Sequence, residues 1–299
     1  MAIVNDLAAS TQKSLSSNGT KSPITESKAS VALTRSSTSK ALLDSTSPLL
    51  LGHRGSRAES VENMPAALIY ACTLQRRGLA GIEFDVQLSA DGQLLIFHDD
   101  TLVRLGQRQA RLDQLTLAEI RRIRLFNEPI LALNDLLTYP LALPAQPSLT
   151  LYQAMMDFAH IELEIKTHER TSYTMLIRAL EDSLIEKGIA NLPIVLTSFD
   201  TTLLNLLHHH PILSKLPRGL LCETPHEMAE LSHTAQRLSC RQVGVHYPLI
   251  NASVIKQCHA AQLSISAWTV NERVDAANLS GLGVDVLITD YPAAFLKFM

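Results

Sequence analysis

The sequence predicts a single (β/α)8 barrel, and three observations carry that prediction. Nine short apolar runs recur between residue 49 and the end of the 299-residue chain. Patterns of helical period lie between most of them. One adjacent pair is joined only by Ser89-Ala90-Asp91-Gly92, far too short for a parallel crossover. That pair is a hairpin after the second strand, and its return strand is an excursion. Eight strands remain to run parallel, and strand–helix units in that number over ~250 residues close into one barrel.

In chain order the expected strands are 49–53, 81–88, 93–98, 161–166, 193–199, 218–223, 242–247, 263–270 and 284–289. Most are unbroken apolar runs, as parallel strands covered by helices require. Pro65 suits the first turn of the helix after the first strand. Thr116 and Glu119 form a capping-box pattern. Tyr173, Leu176, Ile177, Leu180 and Leu184 recur at helical spacing, and Gly188 closes that helix. His208-His209-His210 before Pro211 reads as a helix end stopped by proline rather than a metal tract. A late helix is expected to be capped by Asn271 and closed by Gly281. Residues 100–150 carry Pro129, Pro140, Pro144 and Pro147, show no clear strand and exceed an ordinary loop. They are expected to form a small insertion with one short helix beside the barrel mouth.

Residues 1–48 differ in kind. They hold 18 Ser or Thr, five basic and three acidic residues, and no aromatic. Such a segment buries too little apolar surface to offset its ordering entropy, so a disordered polar tail is expected ahead of a barrel domain at 49–299. It lacks the basic start and apolar run of a secretory signal. No apolar run approaches the ~18 residues of a membrane-spanning helix. A net charge of −3 supplies no basic field for nucleic acid, and 5% aromatics are too few for base-stacking platforms. Cys72, Cys222, Cys240 and Cys258 are scattered without a Cys-x-x-Cys pair, which argues against zinc and disulfide frameworks. That usage suits a reducing compartment, and a cytoplasmic location is expected. Nothing in the sequence sets an oligomeric state.

Barrel catalytic residues stand at the carboxyl ends of the strands. The first strand ends in His53-Arg54-Gly55, the second carries Glu83-x-Asp85, and the hairpin return ends in His98-Asp99. The next barrel strand carries Glu162-x-Glu164-x-Lys166, and a later one carries Trp268. Glu83 and Asp85 share a face, where two like charges need a cation; calcium or magnesium fits an all-oxygen site. About a turn centred near Asp91, positions 83–85 oppose 97–99, which places His98 beside the two carboxylates. Lys166 and Arg54 form a cationic wall opposite them, and cation, Arg, Lys and His together describe a phosphate site. Glu223 is a candidate for the mouth, and Asp290 is read as an anchor of the final turn.

These residues resemble the glycerophosphodiester phosphodiesterase family. The matching segments are His53-Arg54-Gly55 with Glu62-Asn63; Gly81-Ile82-Glu83-Phe84-Asp85-Val86 with Asp91-Gly92 and His98-Asp99; Ile161-Glu162-Leu163-Glu164-Ile165-Lys166; Ser198-Phe199; Trp268-Thr269-Val270-Asn271; and Gly283-Val284-Asp285 with Thr289-Asp290-Tyr291-Pro292. Six segments in this order over about 250 residues are highly specific. The resemblance implies a divalent metal ion, calcium or magnesium, held at Glu83, Asp85 and Glu164. It implies acid–base catalysis by His53 and His98, phosphate contacts from Arg54 and Lys166, a polar position near the metal at Glu62, and a wall against glycerol at Trp268. Glu162 shares the parity of Glu164, and the resemblance favours Glu164 as the ligand because it lies two residues before the lysine. The family usually has Pro before the Glu-Asn pair and Thr after it, where this chain has Val61 and Met64. Its Gly/Thr-rich turn is replaced by Arg104-Leu105-Gly106-Gln107, which bears on alcohol preference.

The function so implied is hydrolysis of a small-molecule glycerophosphodiester to glycerol 3-phosphate and an alcohol. Two other readings use the same residues: a lysophospholipase D-like phosphodiesterase with a lipid leaving group, and an inactive barrel serving as a binding protein. A serine hydrolase at Ser198 lacks the Gly-x-Ser-x-Gly elbow.

Overall fold

The computed structural model describes residues 47–106, 108–143 and 148–297. The expected polar tail, except residues 47–48, lies outside the described residues. Eight parallel strands close on themselves. In chain order, with the hairpin return counted as β3, they are β1 (Leu49–Gly52), β2 (Gly81–Leu88), β3 (Leu94–Ile96), β4 (His160–Ile165), β5 (Ile194–Ser198), β6 (Arg218–Cys222), β7 (Gln242–His246), β8 (Ser264–Trp268) and β9 (Val286–Thr289). Neighbours around the ring run β2-β4-β5-β6-β7-β8-β9-β1, and β1 pairs back with β2 to close it. β3 pairs antiparallel with β2, with Val86 opposite Ile96 and Leu88 opposite Leu94, so the hairpin register is the expected one. Several strands stop short of the expected ends. His53, His98, Lys166, Phe199 and Glu223 all lie just past the last ladder residue, where the backbone is free to turn over the mouth.

Strand alternation sorts the side chains into two layers. Leu50, Ile82, Phe84, Val86, Ile161, Leu163, Ile165, Leu196, Val243, Ile265 and Leu287 face outward into the main core with the surrounding helices. The inward face is split. Leu51, Val286 and Ile288 make a small apolar plug on one side. On the other side, the register sets Glu83 beside Glu162 and Asp85 beside Glu164. Gly81 lets β2 and β4 approach: a Cβ there would lie 1.7 Å from the His160 carbonyl oxygen.

The insertion has more structure than expected. Among the described residues it holds two short α-helices, Val103–Gly106 and Leu117–Ile120, two 3-10 turns, Leu112–Gln114 and Leu133–Leu137, and a ribbon pairing Arg124–Leu125 with Glu128–Pro129. The capping box of Thr116 and Glu119 is present. Its apolar residues, Leu102, Leu112, Ile120, Ile123, Leu125 and Ile130, form a separate small core with Leu95, Phe97 and Met64. β3 thus faces both cores, Leu94 and Ile96 toward the barrel and Leu95 and Phe97 toward the insertion. The departures at Val61 and Met64 fall on this same cluster, Met64 buried within it and Val61 packed against it. Pro65 opens the helix Pro65–Leu74, and the Glu128 carboxylate, not a residue-64 side chain, accepts from Ala66 N at 2.8 Å.

Two cap expectations are corrected. The helix Arg273–Leu282 contains Gly281 and is closed by Gly283, whose φ of 96° needs a glycine. Its first flanking residue is Glu272, not Asn271, because the Asn271 side chain is engaged by Asp290 and Thr289. The histidine tract ends the helix Thr201–His209 ahead of Pro211, as expected.

Leu51 tests the plug. It is fully buried against Val286 and Ile288. Leu51→Ala is expected to cost about 2–5 kcal/mol, read as a lowered denaturant midpoint at unchanged slope.

Candidate active site

The site is assembled over the carboxyl ends of the strands, in a cleft of about 250 Å³ lined by His53, Arg54, Glu83, His98, Glu164 and Lys166, with Phe199, Glu223 and Trp268 on its wall. Its first component is the turn after β1. His53 N bonds the Thr289 carbonyl at 2.8 Å, continuing the β1–β9 ladder. Arg54 then adopts φ 51° and Gly55 φ 86°. A Cβ on Gly55 would meet the Ala67 backbone at 2.8 Å, so the turn accepts only glycine there. This reversal aims the Arg54 N–H at Glu83 Oε2 (3.0 Å) and brings its Nε within 3.3 Å of Asp85 Oδ2. The turn ends at Asn63 (φ 61°), whose side-chain amide donates to Asp85 Oδ2 at 2.8 Å and whose oxygen accepts from Asp85 N. Asn63 therefore positions Asp85; the sequence offered it only as the companion of Glu62.

Glu83, Asp85 and Glu164 each offer an oxygen within 4.8 Å of the other two. All three are withdrawn from water, and Glu83 Oε1 is buried with no hydrogen-bond partner. Lys166 Nζ stands 2.5 Å from Glu164 Oε1 and 3.2 Å from Asp85 Oδ1. Burial and then the charge of Asp85 raise the Glu83 carboxyl well above its ordinary value, with Glu164 adding to the shift. Burial and Asp85 likewise push Glu164 up to about 7, against the pull of Lys166. Asp85 is shifted down: burial opposes ionisation there, but Lys166, Arg54 and His98 outweigh it. The trio is therefore short of positive charge, and its oxygens are close enough to share one hard cation with ligands at ~2.0–2.6 Å. A divalent metal fits these residues. Glu162 lies one layer deeper, next to His160 at 3.6 Å, and outside the trio.

The two histidines are held alike. His53 Nδ1 is 2.6 Å from Asp290 Oδ1, and His98 Nδ1 is 2.7 Å from Asp99 Oδ1. Each contact leaves Nε2 for the cleft; that of His53 is 3.8 Å from Glu83 Oε2. Burial lowers the pKa of both rings, partly opposed at His53 by Asp290 and at His98 by Asp85. Asp290 is thus more than a turn anchor, since one oxygen serves His53 and the other accepts from Asn271 at 2.9 Å. On the far wall the Trp268 ring packs edge-on against Phe199, centroids 5.7 Å apart, and its Nε1 is buried without a partner.

Glu62 is buried, and both its oxygens are taken by guanidinium groups. Arg54 Nη1 bonds Oε1, Arg57 Nε bonds Oε2 at 2.9 Å, and Arg104 grips both at 2.6 and 2.8 Å. Burial alone would raise its pKa, but the bonds and charges of Arg104 and Arg54 hold it near about 2. It sits behind Arg54 rather than facing the cleft.

The sequence profile of the glycerophosphoryl diester phosphodiesterase family matches residues 53–294. The chain is 27% identical over 260 residues to a glycerophosphodiester phosphodiesterase of Caldanaerobacter subterraneus subsp. tengcongensis, covering 84% of this chain and 97% of that one. It is 28% identical over 265 residues to one of Bacillus subtilis, covering 83% and 85%. Among solved structures, an Oleispira antarctica phosphodiesterase in complex with the product sn-glycerol-3-phosphate shares the fold at a TM-score of 0.69 and 23% identity, over 84% of this chain and 96% of that one. A match from the first histidine to the last helix, on a barrel whose mouth gathers these carboxylates and cations, establishes that the chain belongs to the glycerophosphoryl diester phosphodiesterase family.

Proposed function

We propose that this chain hydrolyses glycerophosphodiesters to glycerol 3-phosphate and an alcohol, with a divalent cation, calcium or magnesium, held by Glu83, Asp85 and Glu164. The observation that carries this reading is the pair of aspartate-backed histidines at one cleft with that carboxylate trio, flanked by Arg54 and Lys166. The product complex of the Oleispira relative supports the same substrate class. When bound, the cation supplies Lewis-acid polarisation of a phosphoryl oxygen and a seat for a glycerol hydroxyl.

The protein's own groups do the rest. Arg54 and Lys166 offset the charge that builds on the phosphoryl oxygens. A glycerol hydroxyl attacks phosphorus; one histidine Nε2 takes its proton and the other protonates the departing alkoxide, leaving a cyclic phosphate. In the second step the roles reverse: water loses a proton to one ring, attacks phosphorus, and the reopened glycerol oxygen regains a proton from the other. Aspartate at each Nδ1 keeps that nitrogen protonated, so Nε2 is the exchanging atom. Trp268 and Phe199 form the apolar wall against the glycerol carbons. A cytoplasmic setting is supported by four buried cysteines, all without a disulfide, and no helix among the described residues is long and apolar enough to cross a membrane.

Turnover of a glycerophosphodiester panel by metal-stripped and reconstituted protein tests the reading. Stripping is expected to abolish activity and calcium or magnesium to restore it; full activity without metal overturns the metal role. His53→Ala and His98→Ala should each lower turnover by roughly 10²-fold or more while metal still binds.

Glu164 adds a pH signature. With its carboxyl raised to about 7, the metal-free fold binds a proton that the unfolded chain has already released above pH ~4.5. Metal-free stability therefore falls from this group as pH rises through that window. Metal binding needs the ionised form, so metal affinity rises over the same interval. Thermal melts with and without metal should show a stabilisation that grows from acid to neutral pH.

Glu164→Gln is expected to weaken metal affinity and turnover together, whereas Glu162→Gln should change stability more than affinity. Calorimetric metal titration of the two variants compares them, and a larger affinity loss in Glu162→Gln would contradict the assigned ligand set.

A further inference from the structure

His98 and His53 are joined by an unbroken series of charged contacts, of which Arg57 alone among the intermediate residues lines the cleft. From His98 it passes to Asp99, then Arg104, Glu62, Arg57 and Asp290, and ends at His53. The first link is His98 Nδ1 to Asp99 Oδ1 at 2.7 Å. Arg104 then grips Asp99 with two bonds, Nε to Oδ2 at 2.7 Å and Nη2 to Oδ1 at 3.0 Å. The same guanidinium grips Glu62 with two more, at 2.6 and 2.8 Å. Arg57 continues from Glu62 Oε2 at 2.9 Å to Asp290 Oδ2 at 3.5 Å. Asp290 closes on His53 Nδ1 at 2.6 Å. Charge alternates along the whole series.

The links differ in redundancy. Glu62 keeps Arg54 and Arg57 if Arg104 is removed. Asp290 keeps Asn271 and Arg57. Asp99 follows β3 in a bend, and its carboxylate contacts are with His98 and Arg104. Gln87 Nε2 holds the Asp99 backbone carbonyl at 2.9 Å, and Arg104 is the group that ties the Asp99 carboxylate to Glu62 and the rest of the site. It comes from the insertion, on the helix Val103–Gly106, whose neighbour Leu102 is anchored in the insertion's own core. Isolated surface ion pairs contribute little, but two bidentate grips on buried or half-buried carboxylates form the geometry in which they hold.

We propose that Arg104 is a positioning residue for catalysis, clamping Asp99 to Glu62 so that the insertion sets the orientation and tautomer of His98. This rests on the proposed hydrolysis for its kinetic consequence and on geometry alone for its structural one. Arg104 touches neither the carboxylate trio nor the cleft lining, so its loss should spare metal and substrate binding. Misplacement of one acid–base ring by a fraction of an ångström to an ångström is expected to lower kcat on the order of 10–10²-fold.

The test compares wild type, Arg104→Ala, Asp99→Ala and the double variant, loaded with metal, on a glycerophosphodiester panel. Arg104→Gln, closer in shape, serves if the alanine variant does not fold. The expected result is a fall in kcat on that order with KM changed less than about threefold. The double variant should lose no more than Asp99→Ala alone, because the two act as a unit. A second readout needs no activity: 15N spectra of the histidine rings near pH ~8, where both are neutral. Arg104→Ala should shift His98 away from the Nδ1-protonated tautomer and leave His53 unchanged. Wild-type kcat in Arg104→Ala, losses that multiply in the double variant, or an unmoved His98 ring would each overturn the proposal. Absence of turnover in wild type would overturn the proposed hydrolysis instead, and the ring spectra would still decide the role of Arg104.

Discussion

Mutual repulsion among Glu83, Asp85 and Glu164 is the constraint on which the rest of the site depends. Three carboxylates buried on two adjacent strands cannot all ionise unaided. The parallel register of β2 and β4 forces the encounter, because it sets Asp85 directly beside Glu164. The protein answers with two cations of its own. Lys166 reaches Asp85 and Glu164 from the end of β4, and Arg54 reaches Asp85 with its side chain and Glu83 with its backbone. Two charges against three leave room for a third source of positive charge, and burial, then the charge of Asp85, raises both the Glu83 and the Glu164 carboxyl.

Arg54 is the more demanding of the two cations. Its left-handed backbone leads directly into Gly55, also at positive φ and required to be glycine by the Ala67 backbone against it. Its guanidinium is then shared between Asp85 and Glu62, so Glu62 sets where it can point. That division explains why a carboxylate outside the cleft lining is buried under three guanidinium groups: it orients a cation toward an anionic centre without itself joining that centre. The insertion is bound into the same arrangement twice. Its apolar residues pack on β3 and Met64, and its Arg104 reaches Glu62.

The barrel, the hairpin and the Glu83–Asp85 pair were legible in the sequence because each rests on local rules, whereas Glu164 was singled out from Glu162 by the family resemblance. Strand alternation puts Glu83 and Asp85 on one face, Asp91-Gly92 turns the hairpin, and the register returns 97–99 alongside 83–85, although the chain leaves the ladder after Ile96 and His98 reaches the site from beyond it. The cap at Asn271 was misread for the opposite reason. An asparagine ahead of a helix is locally an N-cap, yet here its amide is drawn to Asp290 across 19 residues. The several elements of the insertion were likewise hidden, since each is two to five residues long and stands only on a shared core.

By itself the sequence determined which residue types would stand at the strand ends, which of them share a face, and the chemical class of site they make. Only the tertiary structure decided their partners: that Asp290 serves His53 from 237 positions away, that Asn63 holds Asp85, and that Glu62 turns from the cleft to gather Arg54, Arg57 and Arg104. The physical reason is range. Periodicity and turn chemistry act over a few residues and are written in order along the chain. A hydrogen bond between side chains is set by where distant segments are brought when the barrel closes, and no local pattern records that meeting.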